Sequence, residues 1–208
     1  NGIVPELTQI YPALSAYLND YNFQCGDLST RFSEYFKAYK RQKISNQLED
    51  SFLLEVDKLA QLRLYNRLQS RNEVLDSIKK EGTYLFWLDA FGVEYLAFVS
   101  EISQRFGLSI KIHIARAELP TITSINRAFY DEWDEKTKGQ SKELDEVKHD
   151  KATGYDYTKN TSPVHLAREL DIIEKVIKNA AIELRSRKYE RYIVASDHGA
   201  SRLAVLRK

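Results

Sequence analysis

Between Thr83 and Asp89 the chain runs Tyr84-Leu85-Phe86-Trp87-Leu88, an apolar stretch with no polar alternate. Successive side chains of an extended strand point to opposite faces, so such a run must be covered on both. That burial belongs to a parallel sheet with helices on either side, and it commits the chain to an α/β architecture. Two other segments are candidate neighbours. Leu108 to Ala115 alternates through Ser109-Ile110-Lys111-Ile112-His113-Ile114 and predicts a half-buried strand, with His113 structural. Tyr192-Ile193-Val194-Ala195 predicts a third.

Helical stripes separate these runs. Val93 to Phe106 predicts a helix closed by Gly107, and Thr123 to Trp133 predicts another. A long helix is expected from Ser162-Pro163, with Leu166, Leu170, Ile173, Val176, Ile177, Ala180 and Leu184 on one face. Residues 136–161 are polar and predict a long loop. Residues 1–82 read as a helical extension preceding an α/β domain at 83–208. Within the extension, Asp27 is expected to cap a helix carrying Leu28, Phe32, Tyr35, Phe36 and Tyr39. A second stripe runs Phe52, Leu53, Val56, Leu59, Ala60 and Leu64. Ser70-Arg71-Asn72-Glu73 has capping-box spacing before a short helix that Gly82 is expected to end.

Charge and cysteine content narrow the function classes. Lys and Arg number 31 against 30 Asp and Glu, a formal net charge of +1, so the chain is not a polycationic nucleic-acid coat and has no bulk attraction to acidic membranes. A single cysteine, Cys25, excludes an internal disulfide framework and any multi-cysteine metal site. No apolar window is long enough to span a bilayer, and the first residues carry no leader-like pattern. The expected location is the cytoplasm. The sequence also lacks methionine, which reads as a piece of something longer.

In open parallel sheets, ligands bind just beyond the carboxyl ends of strands. Two strands end there in acids: Asp89 follows Leu88, and Asp197-His198 follows Ala195-Ser196. Carboxylate and imidazole together suit zinc or manganese. The bland alternatives are that Asp89 caps the next helix and that Asp197-His198-Gly199 is only a turn.

The ordered set Asp89, Thr123 within Leu119-Pro120-Thr121-Ile122-Thr123, and Ser196-Asp197-His198-Gly199 resembles the motif order of the alkaline phosphatase superfamily. More narrowly, the segment from Tyr84 through Asp89-Ala90-Phe91-Gly92-Val93-Glu94-Tyr95-Leu96 resembles the PglZ family of bacteriophage-exclusion (BREX) defence systems. Phe36-Lys37-Ala38-Tyr39-Lys40-Arg41-Gln42-Lys43 is similar to the region preceding that domain in some members. The resemblance implies a three-layer α/β/α sandwich of alkaline phosphatase type with a mostly parallel sheet, truncated at its C-terminal end. It also implies metal-assisted attack on a phosphate ester. Asp89, Asp197 and His198 would hold one divalent ion, zinc or manganese, that also binds the Thr123 hydroxyl. Thr123 would be the nucleophile, with Thr121 and Ser124 as alternative hydroxyls and an N-cap as its bland role. A helix beginning after Thr123 would turn free N–H groups toward the phosphate.

A second metal in that superfamily takes an Asp, a His four residues later and a further His. Asp145 and His149 have the first spacing, with Asp156 and His165 as alternatives; no histidine follows His198. The implied function is a phosphodiesterase acting on nucleic acid or nucleotide in phage defence, with other defence proteins as partners. The alternative is a catalytically incomplete scaffold in such a complex. Basic and aromatic residues interleave at Phe36 to Lys43 and at Arg185 to Tyr192, so nucleic acid is a candidate partner. Each run also reads as the solvated face of a helix. A second copy of the chain is a candidate partner as well, and a membrane is not.

Overall fold

A computed structural model describes residues 5–148 and 165–199. The described chain is mixed α/β, mostly helical, with a small open sheet of three parallel strands. No helix among the described residues is long and apolar enough to cross a membrane. Strand β1 is Thr83–Leu88, β2 is Lys138–Ser141 and β3 is Arg191–Ala195. Their order is β2-β1-β3, and Leu85 stands opposite both Lys138 and Ile193.

The apolar run explains why β1 is central. Leu85 and Trp87 join Ala195 on one face, where they meet Leu75, Phe129 and Trp133. Phe86 and Leu88 turn to the other face and pack into the main core. That core is built from α2 (Pro12–Leu18), α6 (Leu96–Arg105), α9 (Glu143–Lys148) and α10 (His165–Arg185). Each large apolar side chain removed from water contributes about 1.5–3 kcal/mol, so two covered faces fix β1 firmly. Tyr17 of α2 has no exposed surface and lies in this core, which the first helices therefore share with the sheet.

The remaining helices are α1 (Pro5–Ile10), α3 (Ser29–Ser45), α4 (Asp50–Leu62), α5 (Arg71–Asp76), α7 (Thr123–Asn126) and α8 (Ala128–Asp131). The capping box at α5 forms as expected: Ser70 accepts from the Glu73 N–H, and Glu73 accepts from the Ser70 N–H at 2.7 Å. Gly107 closes α6. It lies at φ +66°, its N–H bonds the Gln104 carbonyl, and the Leu108 N–H bonds that of Ser103, which is a Schellman closure.

Several expectations differ. Leu108 to Ala115 is not a strand; just after it, Arg116 forms an isolated bridge with Ser70, apart from the three-stranded sheet. The edge beside β1 is taken instead by Lys138–Ser141, inside the expected loop. Gly139 makes that possible, because a Cβ there would lie 2.4 Å from the Tyr84 hydroxyl. The predicted helix from Thr123 to Trp133 is broken into α7 and α8. Asp27 caps nothing: Leu28 occupies the N-cap of α3, and Asp27 pairs with Arg67. Gly82 lies beyond the end of α5, at φ +67° in the turn into β1, where its carbonyl accepts from the N–H groups of Glu190 and Arg191. The expected Ser162-Pro163 start of the long helix lies outside the described residues.

Candidate metal centre

The carboxyl ends of β1 and β3 lie side by side, so the residues that follow each strand meet. Asp89 is 4% exposed and Asp197 1%, burial unusual for carboxylates unless they bind something. Asp89, Asp197 and His198 each offer one ligand atom, and these atoms lie within 4.8 Å of one another. His198 Nε2 is 3.2 Å from Asp197 Oδ2 and 3.9 Å from Asp89 Oδ1. His198 Nδ1 faces the Gly199 carbonyl at 3.2 Å. With its proton on that side, the imidazole presents the Nε2 lone pair to the two acids.

The Thr123 hydroxyl reaches the same point. Its Oγ1 donates to Asp197 Oδ2 at 2.9 Å and lies 3.2 Å from His198 Nε2. Thr121 and Ser124 are exposed on the surrounding surface. The N-cap of α7 is Ile122, so the Thr123 hydroxyl is not spent on capping. The helix that follows is only four residues long, too short to present the expected anion-binding N-terminus. Asp89 does not cap a helix either. Gly92 precedes the 3₁₀ turn Val93–Tyr95 that leads into α6, with no side-chain cap.

Electrostatics favour a cation. Burial first, and then the Asp197 and Asp145 carboxylates, push the Asp89 carboxyl up to about 6, with His198 opposing. Asp89 Oδ1 is buried without a hydrogen-bond partner. Two acids and an imidazole nitrogen thus converge with little to neutralise them. A divalent ion fits this donor set, since it would satisfy the orphaned oxygen and the like-charge pair together.

The two ligand loops are stitched to each other. The Ala90 N–H donates to Asp197 Oδ1 at 3.3 Å, and the Phe91 N–H donates to Ser196 Oγ at 3.0 Å. The Ser196 hydroxyl in turn donates to the His198 carbonyl at 2.6 Å. Gly199 passes close to Gly92: a Cβ on Gly199 would lie 3.2 Å from the Gly92 Cα. Ala90 holds φ at 58°, the left-handed turn that makes the chain leave β1 sharply.

Other expected site residues fall differently. Asp145 in α9 is near enough for its charge to act on Asp89, but it is not among the converging ligand atoms. His149 and Asp156 lie outside the described residues. His165 belongs to another cluster, in which its Nε2 is 3.1 Å from Glu169 Oε1. Glu169, wholly buried in α10, also accepts from Lys43 Nζ at 2.8 Å and from the Tyr95 hydroxyl at 2.6 Å. Burial alone would raise the Glu169 carboxyl, but Lys43, His165 and Lys148 outweigh it and hold the group well below the usual carboxylate range.

The first basic run is solvated only in part: Lys37 and Arg41 are exposed, whereas Lys40 and Lys43 are buried. Lys43 is 1% exposed, and Lys40, 5% exposed, donates to the carbonyls of Tyr17 and Asn19. In the second run, Arg185 donates to the Phe106 carbonyl and Lys188 pairs with Glu183. That run leads into the first residues of β3 and so lies at the end of the sheet away from Asp89 and Asp197.

Sequence reasoning missed Asn126. It has no exposed surface, its amide nitrogen faces the carbonyls of Glu118, Pro120 and Ile122, and its Oδ1 accepts from the Glu118 N–H. This clamp folds residues 118–122 into the turn that delivers Thr123, and it also explains why the predicted helix breaks. Local pattern gave no signal for it. Comparison with protein-family models, curated proteins and solved structures finds no match.

Proposed function

We propose that the chain is a divalent-metal-dependent phosphohydrolase, with Asp89, Asp197 and His198 as metal ligands and Thr123 as nucleophile. The single observation that carries this reading is the Thr123 hydroxyl, in hydrogen-bond reach of both Asp197 Oδ2 and His198 Nε2 beside the orphaned Asp89 Oδ1. A hydroxyl placed against a ligand cluster is the arrangement that metal-assisted phosphoryl transfer requires. The finer reading is a phosphodiesterase on nucleic acid or nucleotide, of PglZ type within the alkaline phosphatase superfamily, acting in the cytoplasm with other phage-defence proteins. The full α/β/α sandwich of that superfamily would extend the small sheet described here.

Zinc or manganese bound by the three ligands would acidify the Thr123 hydroxyl and draw charge from a phosphoryl oxygen. Asp197 Oδ2 accepts the hydroxyl proton and aims the Oγ1 lone pairs outward. His198 Nε2, 3.2 Å from Oγ1, would be occupied by the metal, which leaves Asp197 as the acceptor. As Oγ1 forms its bond to phosphorus, the bond to the ester oxygen breaks and that oxygen takes up a proton from solvent. Water then attacks the Thr123 phosphoester, the Oγ1–phosphorus bond breaks, and the side chain regains its proton from Asp197. Asn126 keeps the turn in register, and the stitched loops keep the ligands together while charge moves.

The test pairs metal analysis with turnover of a chromogenic phosphodiester. Near-stoichiometric zinc or manganese, lost in Asp197→Ala, is expected. Thr123→Ala should keep the metal and abolish turnover. Normal turnover by Thr123→Ala removes the nucleophile, and equal metal content in Asp197→Ala removes the metal centre. Metal binding without turnover in the unaltered chain would leave the scaffold role.

A further inference from the structure

Two cations are buried beside the ligand loops, and neither points at the ligand oxygens. Arg71, the first residue of α5, is 9% exposed; its Nη1 donates to the Asp197 carbonyl at 2.7 Å and to the Ser196 carbonyl at 3.3 Å. Its guanidinium also lies over the Phe129 ring, 4.3 Å from the centroid. Lys148, the last residue of α9, is 7% exposed and donates to the Ala90 carbonyl at 2.8 Å, above the Tyr95 ring. One cation therefore grips the main chain of the β3 loop at a ligand. The other grips the β1 loop one residue after a ligand.

We infer that Arg71 and Lys148 are positioning residues that hold the two ligand loops in metal-binding geometry. The inference rests on the metal-centre reading above and deepens it. Burying an ammonium or a guanidinium is costly. Nearby carboxylates, Glu94 and Glu169 for Lys148 and Asp197 for Arg71, offset part of that cost. Yet the hydrogen bonds both cations make to the ligand loops go to main-chain carbonyls. What these residues accomplish is conformational. Ala90 sits in the left-handed region between two peptides: the one before it carries the N–H that meets Asp197 Oδ1, and the one after it carries the carbonyl that Lys148 holds. Loss of the Lys148 hold would let the Ala90 dihedrals relax and turn both peptides, which displaces Asp89 and releases the Asp197 carboxylate. On the opposite side, Arg71 prevents the Ser196–Asp197 peptides from turning as two carboxylates are pressed together. Its positive charge also acts on Asp197 through space, easing the like-charge contact with Asp89. Both cations come from outside the ligand loops, and Arg71 comes from the helical region before the sheet.

The test is a titration of the metal-free chain with cobalt(II), read by calorimetry and by the visible absorption of the bound ion, for wild type, Arg71→Met and Lys148→Met. Each variant is expected to bind about 10–100-fold more weakly, the usual scale for residues that orient metal ligands. The cobalt spectrum should change shape, reporting altered ligand geometry, and Arg71→Lys should recover part of the affinity. A purely structural role would lower melting temperature equally with and without cobalt and leave the spectrum unchanged. Should a methionine variant fail to fold, Arg71→Gln or Lys148→Gln replaces it with the same expectation. Wild-type affinity in the folded variants overturns the positioning role, whereas absence of cobalt binding by the wild type overturns the metal centre itself.

Discussion

Lys43→Met is the perturbation that best tests how the helical region is joined to the sheet. Lys43 on α3 and Glu169 on α10 form an ion pair with side-chain exposures of 2% and 0%. Removing the lysine leaves a carboxylate that water cannot reach. Breaking a buried pair from one side costs about 3–5 kcal/mol. The Tyr95 hydroxyl at 2.6 Å and the His165 imidazole at 3.1 Å remain beside Glu169, so the lower part of that range is expected. For a chain of this size the loss corresponds to a melting shift of roughly 6–12 °C, from about 3 kcal/mol at 2–4 °C per kcal/mol. Urea unfolding followed by far-UV circular dichroism measures it directly. Adding Glu169→Gln removes the stranded charge while keeping an acceptor for Tyr95, so the double variant should recover much of the loss. The pH dependence has a fixed sign. Glu169 is held below its unfolded value, so the unfolded chain takes up the proton first. Its contribution is therefore present above about pH 4.3 and is lost as pH falls further, and Glu169→Gln should flatten that acid slope. A Lys43→Met variant within about 1 kcal/mol of wild type would refute the reasoning, because a stranded buried charge cannot be that cheap.

Asp89→Asn should stabilise the metal-free chain, since it removes one of two adjacent buried carboxylates, and should abolish the gain in melting temperature on adding zinc or manganese; thermal melts with and without metal check both. Lys40 is lowered by burial to about 8, so between that pH and its unfolded value near 10.4 the unfolded chain binds more protons and stability rises with pH. In Lys40→Met that alkaline rise should be reduced, which urea midpoints at about pH 8 and 9.5 would show. Ser70→Ala removes one side of the capping box and should cost about 1 kcal/mol by chemical denaturation. Asn126→Ala should lower stability and free the Thr123 turn, seen as faster amide exchange across residues 118–122.

The sheet was legible where side chains carry the signal. The run from Tyr84 to Leu88 has to be buried on both faces, and that demand survives any tertiary arrangement. Lys138–Ser141 has no such signal: it is a strand because its backbone meets β1 and because Gly139 fits beneath Tyr84. Leu108 to Ala115 shows the converse, an alternating pattern that half-buries Ile112 and Ile114 without any ladder. Asp89 and Asp197-His198 were readable as residues just past strand ends, whereas Thr123 was readable only through the resemblance in motif order. Arg71, Lys148, Asn126 and the Lys43–Glu169 pair were not readable. A charged or amide residue is assigned to solvent by default, and its burial is decided by partners distant in the chain. Ser70-Arg71-Asn72-Glu73 announced a cap and nothing of the carbonyls that Arg71 would meet at residues 196 and 197.

The register of β1 against β3 has a consequence for synthesis. Thr83 pairs with Arg191, a separation of 108 residues (191 − 83). During translation at about 5–20 residues per second, the Tyr84 to Leu88 segment therefore waits roughly 5–20 s before its second neighbour exists. Throughout that interval an uncharged, aromatic-rich strand has an unpaired edge, the kind of segment that seeds intermolecular β pairing. Nascent chains should thus depend on holding factors in that window, and slower elongation past residue 89 would lengthen their exposure. Asp197 arrives with β3, so the paired carboxylates come together only after the sheet's most hazardous edge has been covered.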